Sequence, residues 1–206
     1  MKNQWLWNNN FLFSFFYHGD ELVKWRAVSA MGAVVSTLAR QDMESSRVVM
    51  RRLMWNLNDE SGGIGWGSPE AMGEVMARHE RLAKEYHKVL LSYIMPDGNY
   101  IEHEILQRGV LWGVGRLAHA RPNLVKDVVH LLCPYMESPD PALRGLAAWT
   151  AELFDCKTTG RILRRLENDQ ATLTFYFDGT LEELTLAQLF KKSFSSIFMQ
   201  DSGNNL

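Results

Sequence analysis

Between Asn56 and Glu74 the chain reads NLNDESGGIGWGSPEAMGE. Carboxylates at Asp59, Glu60, Glu70 and Glu74 flank a glycine run that contains Trp66. A flat indole beside carboxylates is the chemistry of a site for a cationic or hydrogen-bonding ligand. The same residues also suit a structural loop, in which glycines let the chain hug the next helix, Trp66 fills an apolar gap and Asp59 or Glu60 caps backbone amides. Two phosphate chemistries are excluded. No Gly-Lys-Ser/Thr follows the glycines, no strand precedes them, and four carboxylates repel a polyanion.

A second edge, PDGNYIEHEILQRG, carries Tyr100, His103, Glu104 and Arg108. Stacked in register, it approaches the glycine segment and completes a candidate partner-binding edge. Glu102-His103-Glu104 does not make a metal site, because neighbours on a helix diverge by about 100°. His79 and His87 share a helix face but stand roughly 12 Å apart along it. No metal and no cofactor is expected. Nucleophilic catalysis has no support either: there is no Gly-x-Ser-x-Gly, and Cys133 lies in an apolar stretch that disfavours a thiolate. No catalytic residue is assigned.

Basic residues cluster as Arg47, Arg51 and Arg52, then Arg78, Arg81, Lys84 and Lys88, then Arg161, Arg164 and Arg165. Placed on the second helices of successive pairs, these would line a basic groove able to contact nucleic acid. Ordinary solvated faces with i, i+4 pairs such as Arg81 and Glu85 are the alternative.

The elements that hold these residues are legible from periodicity. Glu21 to Arg40 is helical, with Asp20 as N-cap; a second helix runs from Gln41 to Leu57. Ser68 as N-cap, with Pro69 at the first helical position, opens a helical stretch to about Ile94 that breaks near His79. Further helices are expected over Ile101 to Ala120, Asn123 to Met136 with a kink at Pro134, Asp140 to Phe154 and Gly160 to Leu166. Leu173, Phe175 and Phe177 alternate with polar positions before Asp178-Gly179, a hairpin signal, and Leu184 to Met199 reads as a helix. The apolar run Phe11 to Tyr17 is too short to cross a bilayer, which takes about 20 residues, and reads as a short buried helix.

The helices come in pairs, and short strings recur. Ala30-Met31-Gly32 returns about 40 residues on as Ala71-Met72-Gly73, and Gly113-Val114-Gly115 follows at a similar spacing. The strings VKWRAVSAMGAV, HEILQRGVLWGVGRLA and DPALRGLAAWTAEL resemble the first helices of HEAT-like repeats. RRLMWNLNDESGGIGWGSPEAMGE resembles a set of bacterial HEAT-repeat proteins of no established function. The resemblance implies an all-α, right-handed α-solenoid of about four helical pairs over 1–168, with 169–206 forming a β-hairpin and helix cap. It implies a non-catalytic scaffold or adaptor with a protein partner. The alternative is a nucleic-acid-binding HEAT-fold protein similar to alkyl-base DNA glycosylases, acting through Arg47, Arg51, Arg52, Arg81, Lys84 and Lys88.

Composition bounds these readings. The 206 residues, 46% hydrophobic and 22% charged, suit one globular domain, and a net charge of −2 disfavours nucleic acid and anionic membranes. Two isolated cysteines and no cleavable leader point to the cytoplasm.

Overall fold

The structure, a computed structural model, describes residues 11–58 and 65–191. Residues 11–15 are helical (α1), and helix and following turn bury Phe13 and Phe16 while Phe11 and Tyr17 are exposed. Helix α2 (Glu21–Gln41) starts at Asp20, whose carboxylate accepts from the amides of Leu22 and Val23. It is followed by α3 (Met43–Asn58), α4 (Ser68–Arg78), α5 (Glu80–Ser92) and α6 (Glu104–Ala120). The break at His79 is real: its backbone is extended, and its Nδ1 accepts from the Leu82 amide to cap α5. Gly67, not Ser68, is the N-cap of α4. Its φ of 76° lies in the left-handed region, and Phe16 packs where a side chain would sit.

The α-helix expected over Asn123 to Met136 does not form. Two 3₁₀ segments, Pro122–Leu124 and Lys126–Leu132, lead into a single turn, α7 (Cys133–Met136). Pro122 and Pro134 remove amide donors at both ends, and Val125, Val128 and Val129 are poor helix formers between them. Helix α8 (Pro141–Ala151) is capped by Asp140, which accepts from the Ala142 amide at 2.9 Å, and α9 (Lys157–Leu166) follows.

The hairpin forms as its sequence predicts. Strands β1 (Thr172–Phe177) and β2 (Thr180–Thr185) pair antiparallel across Asp178 and Gly179, with φ of 44° and 82°. Positive φ at both central positions is the type I′ turn that Asp-Gly favours. Helix α10 (Leu186–Lys191) follows, and the remainder of the helix expected to Met199 lies outside the described residues.

Every other helix packs on the next: α2 on α4, α4 on α6 and α6 on α8. Helix α3 lies against α2 and α4, and α5 against α4 and α6. These crossings are close because of particular glycines. A Cβ on Gly73 would lie 2.4 Å from the Cα of Gly113, and one on Gly113 would lie 2.5 Å from the Pro69 carbonyl oxygen. One on Gly115 would strike the Trp149 ring at 2.3 Å. The recurring small residues thus sit at successive helix crossings. Strand β1 packs on α8 and reaches beyond it, its Tyr176 stacking on Trp25 of α2 at 4.9 Å.

Among the described residues, no helix is long and apolar enough to cross a membrane.

Gly73→Ala should force α4 and α6 apart, costing about 1–3 kcal/mol and lowering Tm by roughly 2–12 °C. Gly160→Ala in α9, where nothing lies within 4 Å of the added methyl, should hold or raise Tm. Thermal unfolding by circular dichroism compares the two.

Candidate functional site

Helix α4 carries two carboxylates one turn apart, Glu70 and Glu74, and both are buried, at 4% and 3% exposure. The i, i+4 spacing puts them on one face, about 6 Å apart along the axis. Each is admitted by a glycine on a neighbouring helix. A Cβ on Gly109 of α6 would lie 2.7 Å from Cδ of Glu70, and one on Gly32 of α2 would lie 2.4 Å from Cγ of Glu74.

Their electrostatic situations differ. Glu74 Oε1 accepts from Nε of Arg78, and Oε2 from Nε of Arg116, both at 2.6 Å. Arg116 is itself buried, so this carboxylate has the paired, hydrogen-bonded surroundings that a buried charge needs. Glu70 has much less. Its Oε1 is 4.0 Å from Nζ of Lys24, beyond hydrogen-bonding reach, and its Oε2 makes no hydrogen bond among the described residues. Burial pushes the Glu70 carboxyl up from the usual carboxylate range, against the opposing pulls of Lys24 and of amides at the start of α4.

Both carboxylates line cavities. The first, about 340 Å³, is bounded by Arg26 and Ser29 of α2, Glu74 and Arg78 of α4, Trp112 and Arg116 of α6, and Tyr176 to Gly179 at the hairpin turn. The second, about 310 Å³, holds Glu70 with Lys24, Trp25, Arg108, Trp112 and Asp140, and is flanked by Thr172 to Thr174 of β1. Trp112 lines both. An aromatic group separates them: Trp25 contacts Trp112 at 4.8 Å, and Tyr176 stacks on Trp25 within 10° of parallel. Tyr176 is fixed by its hydroxyl, 2.8 Å from Oγ of Ser29, and by its carbonyl, which accepts from Nε1 of Trp112 at 3.4 Å.

The residues proposed from sequence are distributed unevenly. Glu70 and Arg108 meet in the second cavity, where Nε of Arg108 donates to Asp140 at 2.8 Å. Glu74 faces the first cavity. Tyr100, His103 and Glu104 are exposed and line neither. The Tyr100 hydroxyl accepts from Gln107, and Glu104 pairs with Arg108 at 3.5 Å. Trp66 is half-buried against the core, and its indole N–H is covered without an acceptor. Asp59 and Glu60 lie outside the described residues.

The basic residues proposed as a groove are largely engaged. Arg47 makes a two-pronged contact with Glu85 at 2.7 and 2.8 Å, and Arg51 reaches Glu44 at 2.7 Å. Arg81 also pairs with Glu85, Lys84 with Glu80, and Arg52 lies over the Phe13 ring at 4.0 Å. The bond from Arg47 holds the Glu85 carboxyl down at about 2. Among the described residues, no three His, Cys, Asp or Glu side chains gather as a metal cluster would require.

Sequence reasoning missed Lys24, Trp25, Arg26, Arg116 and Tyr176, and it reached Trp112 only as an aromatic beside the basic groove. One signal was present. In TLTFYF, Tyr176 is the large aromatic on the polar side of an alternating strand, and such a residue needs a second surface to cover it.

Comparison with known proteins agrees with the helical pairing. Residues 104–150, spanning α6 and nearly all of α8, match the family model of a HEAT-like repeat. An uncharacterised protein of Archaeoglobus fulgidus is 29% identical over 121 residues, 57% of this chain and 60% of that protein. The chain therefore spans about 60% of the length of the curated relative it matches. No solved structure matches.

Two outcomes are expected of the carboxylates. Because the folded state holds a proton on Glu70 more tightly than the unfolded state does, stability falls as pH rises above the ordinary carboxylate range. Glu70→Gln should therefore raise Tm at pH 7.5, and the gain should vanish near pH 4, below the ordinary carboxylate pKa of about 4.3. Glu74→Ala should instead lower stability by about 3–5 kcal/mol, since it removes the carboxylate that bridges two guanidiniums. Calorimetry across pH distinguishes the two positions.

Proposed function

We propose that the chain is a non-catalytic scaffold, a right-handed solenoid of about four HEAT-like pairs that holds an extended segment of a protein partner. The segment lies along β1, across α2, α4 and α6, and residues 169–206 form a unit packed on the repeats. The observation that carries this reading is the side-by-side placement of two cavities along one strand, with Trp112 shared between them. In an extended chain, residues i and i+2 point the same way about 6–7 Å apart, close to the separation of Glu70 and Glu74. Two side chains of one partner would thus enter the two cavities. Helical-repeat scaffolds offer extended surfaces of this kind.

The cavities are chemically unlike. Three arginines face two carboxylates, Glu74 and Asp178, in the first; three carboxylates face Lys24 and Arg108 in the second. The first suits an acidic side chain. The nucleic-acid alternative has less support, because carboxylates compensate Arg47, Arg51, Arg81 and Lys84.

Panning a display library of randomised seven-residue segments against the protein tests the reading. Selected segments should bind saturably. Ala142→Trp, which fills the second cavity, should weaken them about tenfold or more, whereas the Arg47→Ala/Arg51→Ala pair should leave them unchanged. Absence of any saturable binder would overturn the proposal. Duplex DNA binding at roughly 50 and 200 mM salt serves as the counter-test, and tight, steeply salt-dependent binding lost in the double variant would favour the alternative.

A further inference from the structure

We propose that the second cavity is a subsite for a basic side chain, a lysine ammonium seated on Glu70, presented by a partner segment that pairs with the edge of β1 facing away from β2, which is open among the described residues. This rests on the scaffold reading and specifies the chemistry of the partner.

The first ground is Glu70 itself. A carboxylate at 4% exposure whose Oε2 has no hydrogen-bond partner is held at a cost to the fold. The nearest cation among the described residues is Lys24, 4.0 Å from the other oxygen. Arg108 shares the cavity but is held by Asp140 and Glu104. With Glu21, Glu70 and Asp140 set against Lys24 and Arg108, the lining carries one negative charge in excess when Glu70 is ionised. A hydrogen-bond donor with positive charge satisfies both deficits. The indoles of Trp25 and Trp112 add surfaces on which an ammonium group and its methylene stem are favoured.

The second ground is independent of charge. Thr172, Leu173 and Thr174 border the cavity, and no residue of β2 does. Phe177 and Thr180 close a two-residue turn and are therefore a hydrogen-bonded pair. By alternation, Phe175 with Glu182 and Leu173 with Leu184 are the next bonded pairs. The peptide groups of Thr172, Thr174 and Tyr176 then point away from β2. The Tyr176 carbonyl is taken by Trp112, but the Thr174 amide and carbonyl have no partner among the described residues. An open strand edge recruits an extended chain through main-chain bonds, while adjoining pockets select its side chains. Edge and carboxylate adjoin the same cavity, so one occupant answers both.

The selected segments provide the test. They should be enriched in lysine or arginine at one position, and exchange of that residue for norleucine should weaken binding about tenfold. Glu70→Gln, which keeps the side-chain volume, should abolish the preference for the basic residue. It should leave the norleucine segment bound as before. Thr174→Pro removes an edge amide that β2 does not use, and should weaken basic and norleucine segments alike. Binders without a basic preference, or a preference that survives Glu70→Gln, would overturn the subsite while sparing the scaffold. Indifference to Thr174→Pro would overturn the strand pairing. Failure to obtain any binder would take both readings down together.

Discussion

The contact between the backbones of α4 and α6 sets the terms for the rest of the molecule. Where Gly73 faces Gly113, no side chain separates the two helices, and so small a gap leaves only short-range choices for the side chains on either side of it. Toward the start of α4 lies Glu70, laid over Gly109; toward its end lies Glu74, reaching Arg116. Two carboxylates that would ordinarily sit in water are thereby carried into helix interfaces. Close packing gives the geometry, and the polar groups must find partners within it.

The two solve that problem differently. Glu74 divides its oxygens between Arg78 on its own helix and Arg116 on the next, and the interface gains a cross-link that resists sliding. Glu70 receives a glycine where an arginine would be needed. The hairpin sits above both. Tyr176 joins α2 through Trp25 and Ser29, and α6 through Trp112, while Phe175 meets Trp149 of α8 edge-on. A strand near the end of the chain thus ties three helices together and becomes one wall of each cavity. Residues from five separated stretches (α2, α4, α6, the start of α8 and the hairpin) make the site, so its shape depends on the whole packing rather than on any one loop.

Local signals in the sequence were legible for local reasons. Asp178-Gly179 demands a tight turn whatever surrounds it, and Asp20 and Asp140 cap their helices through bonds to amides two or three residues away. The stretch from Pro122 to Met136 misled because its apolar spacing is helical while its prolines are not. The site was harder. Arg47 and Glu85 stand 38 residues apart, so nothing local shows that this arginine is spent on an ion pair. Glu70 and Glu74 read as rim residues beside a polar loop, because burial of a carboxylate is invisible until the opposing glycines are placed. Gly65 and Gly67 are now explained by packing, Gly65 against the Asn56 carbonyl and Gly67 against Phe16.

The choice of Gly109 opposite Glu70 is the point on which structure and function meet. Had the chain required only a stable interface, a glutamine at position 70 would fit the same space without a desolvated charge. A cationic residue on α6 at the Gly109 position would have no room, because even a methyl there strikes the carboxylate. The space above Glu70 is left to Lys24, which stops short of it, and to the cavity. A buried carboxylate kept without a full complement of bonds, in a cavity edged by a strand whose Thr174 peptide groups have no partner among the described residues, is costly for that part of the chain. It becomes favourable once a donor arrives from outside, and binding energy then offsets what folding alone leaves unsatisfied.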